Sequence, residues 1–232
     1  MNGTDVGELQ KLIGYSFENG DLLVRALTHS SYCNEQLINK TGDYERLEFL
    51  GDAVLETVSS EFLFQTYPDK KEGELSKIRA SMVCEPSLAF CARDLKLGSF
   101  IRLGKGEERT GGRERDSIIS DVMEAIVGAI FLDGGFDKAK EFIHRFILSD
   151  LENKQLFFDS KSNLQEYVAR NIKKELEYIT EEELGEGNEK IFRSKVLIGG
   201  EFTAEGSGRS KKASQQEAAY NALLKIRSTD VS

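Results

Sequence analysis

Residues 44–56 read YERLEFLGDAVLE, an apolar stretch with four acids on one line. On a helix advancing 100° per residue, Glu45, Glu48, Asp52 and Glu56 fall within about 80° of one another. Leu47, Leu50, Val54 and Val58 occupy the opposite side, an ordinary core face. Like charges at this spacing repel by a few tenths of a kcal/mol per pair. Two readings follow: the stripe is the solvated side of an amphipathic helix, or a cation sits among the acids. Phe49 and Leu55, flanking the acids on either side, weigh against the first.

A second stretch sharpens the choice. SIISDVMEAIVGAIFLDGG, residues 117–135, is apolar in nearly every helical direction, through Ile118, Ile119, Val122, Met123, Ile126, Val127, Ile130 and Phe131. Only Ser117, Asp121, Glu124 and Gly128 form a narrow non-apolar stripe. A helix hydrophobic almost all round is buried, and buried carboxylates are costly unless paired or bound to a cation. Arg46, Arg79 and Arg115 are candidate partners but too few for the whole set. Gly128 would let another helix approach closely. The expectation is that two buried helices bring Glu48 and Asp52 together with Asp121 and Glu124. Oxygen ligands with no thiolate or imidazole cluster select a hard cation, Mg²⁺ or Mn²⁺, which favours phosphate substrates.

The rest of the chain divides in two. Helical periodicity recurs at 20–28, 44–66, 74–84, 87–96, 117–132 and 136–151, with Pro86 opening the fourth and Gly134-Gly135 closing the fifth. The segment LGKGEERTGGRERDS (103–117) reads as a loop whose Lys105, Arg109, Arg113 and Arg115 are either solvated or reach phosphates. Beyond residue 153 the pattern becomes helix (162–176), a short strand near Tyr178–Thr180, strands over 190–200 and 201–208 around a Gly199-Gly200 hairpin, and a helix from Ser210 to Ile226. The fold expected is an all-α domain over 1–153, a linker over 154–160, and a small α-β-β-β-α domain over 161–229.

Composition bounds the function. The net charge is −9, which argues against a nucleic-acid partner. The average conceals an asymmetry: residues 1–158 hold 27 acids against 19 basic residues, and residues 159–232 hold 13 against 12. Within 206–227, five basic residues (Arg209, Lys211, Lys212, Lys225, Arg227) face one acid, Glu217. No apolar run reaches the roughly 18 residues of a membrane span, and the N-terminus has no signal-peptide pattern. Cys33, Cys84 and Cys91 are an odd, unpatterned set, as in a reduced cytoplasmic protein. His29 has no neighbouring metal-ligand partners in sequence and reads as a packed, hydrogen-bonded core histidine.

ERLEFLGDAVL resembles the signature of the ribonuclease III family. THSSYCNE (28–35), EGELSKIRASMV (72–83) and GGRERDSIISDVMEAIVGAIFLDGG (111–135) match that family in order and spacing. SNLQEYV and GSGRSKKASQQEAAYNALL resemble a double-stranded-RNA-binding domain, so the likeness covers about residues 8–227. The resemblance implies a Mg²⁺-dependent homodimeric endonuclease without a small-molecule cofactor. It would cut both strands of double-stranded RNA, leave 5′-phosphates and short 3′ overhangs, and act on ribosomal RNA precursors and structured messages. By position it makes Glu48, Asp52, Asp121 and Glu124 the metal-binding carboxylates, with Asp52 and Glu124 catalytic. Glu45 and Glu72 match further acidic positions, open between a site role and a salt bridge or dimer contact; Glu56 matches none and is left as a surface acid. A non-catalytic relative would be expected to lose ligand carboxylates, and all four are here.

For the second domain the resemblance implies recognition of A-form shape, 2′-hydroxyls and phosphates. Lys211 and Lys212 open the last helix, where the positive dipole end also favours phosphate. Gly206 and Gly208 would let that backbone come close to RNA, and Gln165 and Glu166 suit minor-groove hydrogen bonds. Two departures stand out. Gly187-Asn188-Glu189-Lys190 replaces the family's Gly-Pro-x-His element, and Ala213 replaces the more usual acid after the lysines.

Overall fold

A computed structural model describes residues 3–36, 42–149, 160–184, 190–208 and 210–230. The chain divides into two compact units, Met1–Ser149 and Asp150–Ser232. The expected 154–160 linker lies, apart from Ser160, outside the described residues.

The first unit is helical: α1 (Gly3–Ile13), α2 (Gly20–Ala26), α3 (Ser30–Glu35), α4 (Glu45–Thr66), α5 (Glu72–Met82), α6 (Glu85–Asp94), α7 (Lys105–Arg109) and α8 (Asp116–Phe146). Its centre is the contact between α4 and α8. Leu47, Val54, Leu55, Val58 and Leu63 bury one side of α4, and Ile119, Val122, Met123, Ile126 and Ile130 bury α8. Glycines set the spacing: a Cβ on Gly51 would stand 1.8 Å from the Glu124 carbonyl oxygen, and one on Gly128 would stand 2.2 Å from that of Leu47. Gly128 thus admits α4, as its place on the polar stripe of α8 led one to expect.

Pro86 lies in the first turn of α6. At the other expected boundary, α8 runs past Gly134 and is broken at Gly135, where φ is +81° and ψ −177°. Asp133 pins that break to the loop before α2, accepting hydrogen bonds from the Tyr15 hydroxyl (2.8 Å) and the Glu18 and Asn19 amides (2.9 and 2.8 Å). Burial pushes the Asp133 carboxyl up, but these donors outweigh it and hold it below its ordinary range.

One expectation fails here and two are qualified. The 103–117 segment is not an open loop: α7 and a 3₁₀ turn at Gly112–Glu114 order it. Two of its four cations are spent internally, while Lys105 and Arg109 stay exposed. Arg113 pairs with Glu108 at 2.5 Å and donates to the carbonyls of Gly98 and Ile101, and Arg115 pairs with Glu107. His29 is packed and hydrogen-bonded as expected but half-buried rather than a core residue; it caps α3, its Nδ1 accepting from the Ser31 amide at 3.1 Å. Glu56 is a surface acid, but a paired one: Arg79 of α5 meets it at 2.8 Å and also donates to Ser60.

The second unit comprises α9 (Ser160–Tyr167), a π turn (Val168–Ile172), β1 (Leu176–Leu184), β2 (Lys190–Ile198), β3 (Glu201–Gly208) and α10 (Lys211–Asp230). The strands pair antiparallel in the order β1-β2-β3, and Gly199 and Gly200 turn the hairpin with φ of +62° and +81°. Leu164, Val168, Val196, Ala204, Ala218 and Ala222 form its core.

The expected helix over 162–176 stops at Ile172. Lys173 adopts a left-handed φ of +56°, and its amide donates to Val168 O at 2.7 Å. The helix-forming KKEL run is then overridden by the sheet: Glu175 O accepts from the Gly199 amide at 2.8 Å, and Leu176 pairs with Ile198. The short strand expected near Tyr178–Thr180 is accordingly nine residues long. Cys33 and Cys91 are buried and Cys84 is half-buried. Among the described residues no helix is long and apolar enough to cross a membrane.

Candidate metal centre and nucleic-acid interface

Because α4 and α8 approach to backbone contact, their polar stripes face the same space. Glu48 on α4 and Asp121 and Glu124 on α8 each offer a carboxylate oxygen, all within 4.8 Å of one another. The three residues are half-buried rather than fully enclosed, and Asp52 is exposed. Asp52 stands outside the tight group but close enough that its charge acts on both Glu48 and Glu124.

No lysine or arginine neutralises the cluster. Among the described residues, none of the ion pairs involves Glu48, Asp52, Asp121 or Glu124. Arg79 and Arg115, two of the candidate partners, are committed to Glu56 and Glu107. The electrostatic consequence is direct. Burial, then repulsion from Asp52, Glu48 and Asp121, pushes the Glu124 carboxyl up to about 8. Burial, then repulsion from Asp121, Glu45 and Asp52, pushes Glu48 up to about 7. Burial also raises Asp121, while the Tyr44 hydroxyl opposes the rise by donating to its Oδ2 at 3.3 Å.

This donor set suits a hard divalent cation. It is all oxygen and anionic, and in its partly desolvated site no lysine or arginine pairs with it among the described residues. Two further acids differ in how they relate to it. Glu45 is exposed in the first turn of α4 and adds repulsion at Glu48. Glu72 opens α5 and accepts a 2.8 Å hydrogen bond from Ser76; it is not among the converging three. Tyr44 was missed by sequence reasoning, since nothing in the chain links it to a residue 77 positions away.

In the second unit Gln165 and Glu166 are exposed on α9, Glu166 meeting Arg170 at 2.5 Å. Lys211 and Lys212 are exposed in the first turn of α10. The expected role of Gly206 and Gly208 is overturned. Their bare backbone meets α10, not a ligand: a Cβ on Gly206 would lie 2.3 Å from the Ala218 nitrogen, and one on Gly208 would lie 2.7 Å from that of Ser214. Gly187, Asn188 and Glu189 of the departed loop element lie outside the described residues.

What fixes the interface is a chain of hydroxyls. Thr180 Oγ1 lies 2.8 Å from Ser194 Oγ, which lies 2.7 Å from Ser214 Oγ, and Ser214 donates to Lys211 O at 3.1 Å. Gln215 extends the chain, donating to Thr180 Oγ1 at 3.0 Å and accepting from Lys161 of α9 at 2.7 Å. The first turns of both helices are thereby tied to the sheet. Serines on a half-buried strand and helix carry no sequence mark of this role.

Residues 19–151 match the family described as Ribonuclease-III-like, and residues 160–226 match the double-stranded RNA binding motif. Ribonuclease 3 of Shouchella clausii is 46% identical over 215 residues, covering 92% of this chain and 83% of that protein. Ribonuclease 3 of Listeria monocytogenes is 44% identical over 221 residues, covering 94% and 96%. The nuclease domain of ribonuclease III from Campylobacter jejuni superposes with a TM-score of 0.58 at 46% identity, covering 61% of this chain and 95% of that one. The chain belongs to the ribonuclease III family: it is a ribonuclease, a hydrolase whose helical domain precedes a double-stranded-RNA-binding domain.

Proposed function

We propose that this ribonuclease hydrolyses both strands of double-stranded RNA with Mg²⁺, or Mn²⁺ in its place, leaving 5′-phosphates and short 3′ overhangs. The observation that carries this reading is the convergence of Glu48, Asp121 and Glu124 without a counter-cation. With Asp52 they form the metal-binding set, and Asp52 and Glu124 lie against the reacting phosphodiester. The chemistry a bound divalent cation supplies is activation of a water and neutralisation of charge developing on the phosphate. The protein's own part is to hold the carboxylates in place on two helices locked by Gly51 and Gly128. Glu45 and Glu72 are accessory acids, Glu45 beside Glu48 and Glu72 at the start of α5.

Residues 1–153 act as the nuclease, 154–160 as the connection, and 161–229 as the binding domain. There Lys211 and Lys212 take phosphates and Gln165 and Glu166 take minor-groove hydroxyls. The working form is a homodimer. Phe49 and Phe64 on α4 are 80% and 76% exposed, two large apolar side chains that a dimer contact would cover. A second copy is the occupant we assign, in keeping with the dimer-forming region named for the Campylobacter jejuni nuclease domain. The setting is the cytoplasm, with ribosomal RNA precursors and structured messages as substrates.

A paired RNA of about 30 base pairs, long enough for the roughly 16 base pairs such a binding domain spans, tests the reading on a gel. The assay compares Mg²⁺, Ca²⁺ and EDTA, with wild type beside Glu124→Gln. Discrete short duplexes with wild type in Mg²⁺ alone support it; a shifted but uncut duplex in every lane refutes it.

A further inference from the structure

We propose that Tyr44 is a positioning residue for the metal centre, holding Asp121 by its hydroxyl and the start of the Glu48 helix by its backbone. The inference rests on the metal reading above and extends it to a residue that ligates nothing.

Tyr44 is 3% exposed and sits at the N-terminal cap of α4. Its amide donates to Thr28 O at 2.9 Å, and its carbonyl accepts from the Leu47 and Glu48 amides at 2.8 and 2.9 Å. Its hydroxyl donates to Asp121 Oδ2 at 3.3 Å. A single buried residue therefore spans both helices of the site. One end fixes where the turn bearing Glu48 begins, and the other restrains a carboxylate on α8.

The restraint has support behind it. The Tyr44 ring packs on His29, with centroids 5.6 Å apart at 57°. His29 is in turn held by Ser31, through the Ser31 amide at 3.1 Å and a 2.7 Å contact between Nδ1 and Oγ. Ser31 Oγ also accepts from the Gly104 amide at 2.9 Å. The THSSYCNE segment thus backs the tyrosine that faces the metal ligands.

The choice of a hydroxyl is informative. A free aspartate on a helix samples several rotamers, and ordering it on binding costs affinity. A lysine or arginine in this place would hold it but would also cancel the charge that attracts a cation. A phenol occupies one carboxylate oxygen and leaves the other to face the site, orienting the group without neutralising it. Partners of this kind, one step removed from the ligands, change metal affinity by about 10- to 100-fold in general.

The test is Mn²⁺ binding to the full-length, metal-free chain, followed by the loss of the free-ion electron-spin-resonance signal. Wild type, Tyr44→Phe and Glu124→Gln are compared. Phenylalanine keeps the packing and backbone and removes only the hydroxyl. The expected result is a Mn²⁺ affinity weakened roughly 10-fold or more in Tyr44→Phe, with the metal-free melting temperature and Ca²⁺-supported RNA binding preserved. Cleavage should then recover toward wild type as Mn²⁺ is raised. Adding Tyr44→Phe to Asp121→Asn should change affinity no further, because the tyrosine acts through that carboxylate.

Mn²⁺ binding by Tyr44→Phe within twofold of wild type overturns the positioning role and leaves the metal reading intact. An equal loss from Tyr44→Phe in the Asp121→Asn background likewise overturns it. Failure of wild type to bind Mn²⁺, or undiminished binding by Glu124→Gln, overturns the metal reading itself.

Discussion

Ser194 and Ser214 in the second unit are 0% exposed, and each hydroxyl has a partner. Glu48, Asp121 and Glu124 in the first unit are half-buried, repel one another, and have no cation beside them among the described residues. Both sets sit where two elements meet, yet one is closed and the other left open. Buried polar groups that serve shape are normally satisfied within the protein. Groups left incomplete mark the place where a ligand finishes the structure, and a sequence breaks the general rules of burial where function requires it. The binding domain is therefore built to be rigid before RNA arrives, and the nuclease site to be completed by an ion.

Breaking the open side should have the largest effect. Glu124→Gln keeps the shape and removes a ligand charge, so cleavage should fall by more than the roughly 100-fold seen for residues merely adjacent to a metal site. Double-stranded RNA binding, read by gel shift, should persist. Above about pH 8, where Glu124 would carry its charge, the metal-free protein should melt higher, since one repelling carboxylate is gone. Cleavage at near-wild-type rate would remove Glu124 from the site.

Next comes the contact that creates the site. Gly128→Ala would drive a methyl to 2.2 Å from the Leu47 carbonyl oxygen, a clash in backbone that has no flexible end to yield. The destabilisation should meet or exceed the ~1–3 kcal/mol typical of overpacked cores, read from a denaturant midpoint of the first unit. An unchanged midpoint would mean that α4 and α8 are farther apart than described.

On the closed side, Ser194→Ala leaves Thr180 and Ser214 without their shared partner. Ser214 still donates to Lys211 and Thr180 still accepts from Gln215, so the substitution should cost about 0.5–1.5 kcal/mol, the net worth of a hydrogen bond, and only in the unfolding of the second unit. A cost below half a kcal/mol would show the hydroxyl chain to be incidental.

Smallest is the effect on the surface. Lys211→Ala with Lys212→Ala should leave the fold untouched and lower the salt slope of RNA binding by about two phosphate contacts. An unaltered slope would place the phosphate contacts elsewhere.

The open side was the more legible in the sequence. Period-3.6 patterning located α4 and α8, and the narrow stripe of Asp121, Glu124 and Gly128 pointed to their shared face, because a nearly all-apolar helix makes any polar residue conspicuous. The closed side was almost silent: a buried serine looks like a surface serine until its neighbours are known. Gly206 and Gly208 were misread for a related reason. A glycine beside a basic run signals close approach without saying to what, and here β3 approaches α10. The end of α9 was misplaced because the pairing of Leu176 with Ile198 outweighs local helix propensity, a long-range contact that no window of sequence contains. Arg113 and Arg115 looked available because their partners Glu108 and Glu107 lie on a short helix that glycines in the segment disguised.

The two kinds of carboxylate in the first unit also respond oppositely to pH. Asp133, held below its ordinary range by three donors, contributes stability that is present above its unfolded value and lost on acidification. Glu48 and Glu124, raised to about 7 and about 8, keep protons in the folded protein that the unfolded chain has already released. Metal-free stability at this site should therefore decline as pH rises through those values. A cation that replaces those protons should reverse the trend.

The most direct test of the metal centre is the melting temperature of the full chain from pH 5 to about 8.5, in EDTA and in Mg²⁺, beside Glu124→Gln. Mg²⁺ should stabilise wild type increasingly as pH climbs, as metal binding linked to proton release requires, and the gap between the two curves should largely close in Glu124→Gln. Parallel curves in EDTA and Mg²⁺, with no stabilisation at pH 8, would contradict it: the carboxylates would then be gathered for something other than a metal.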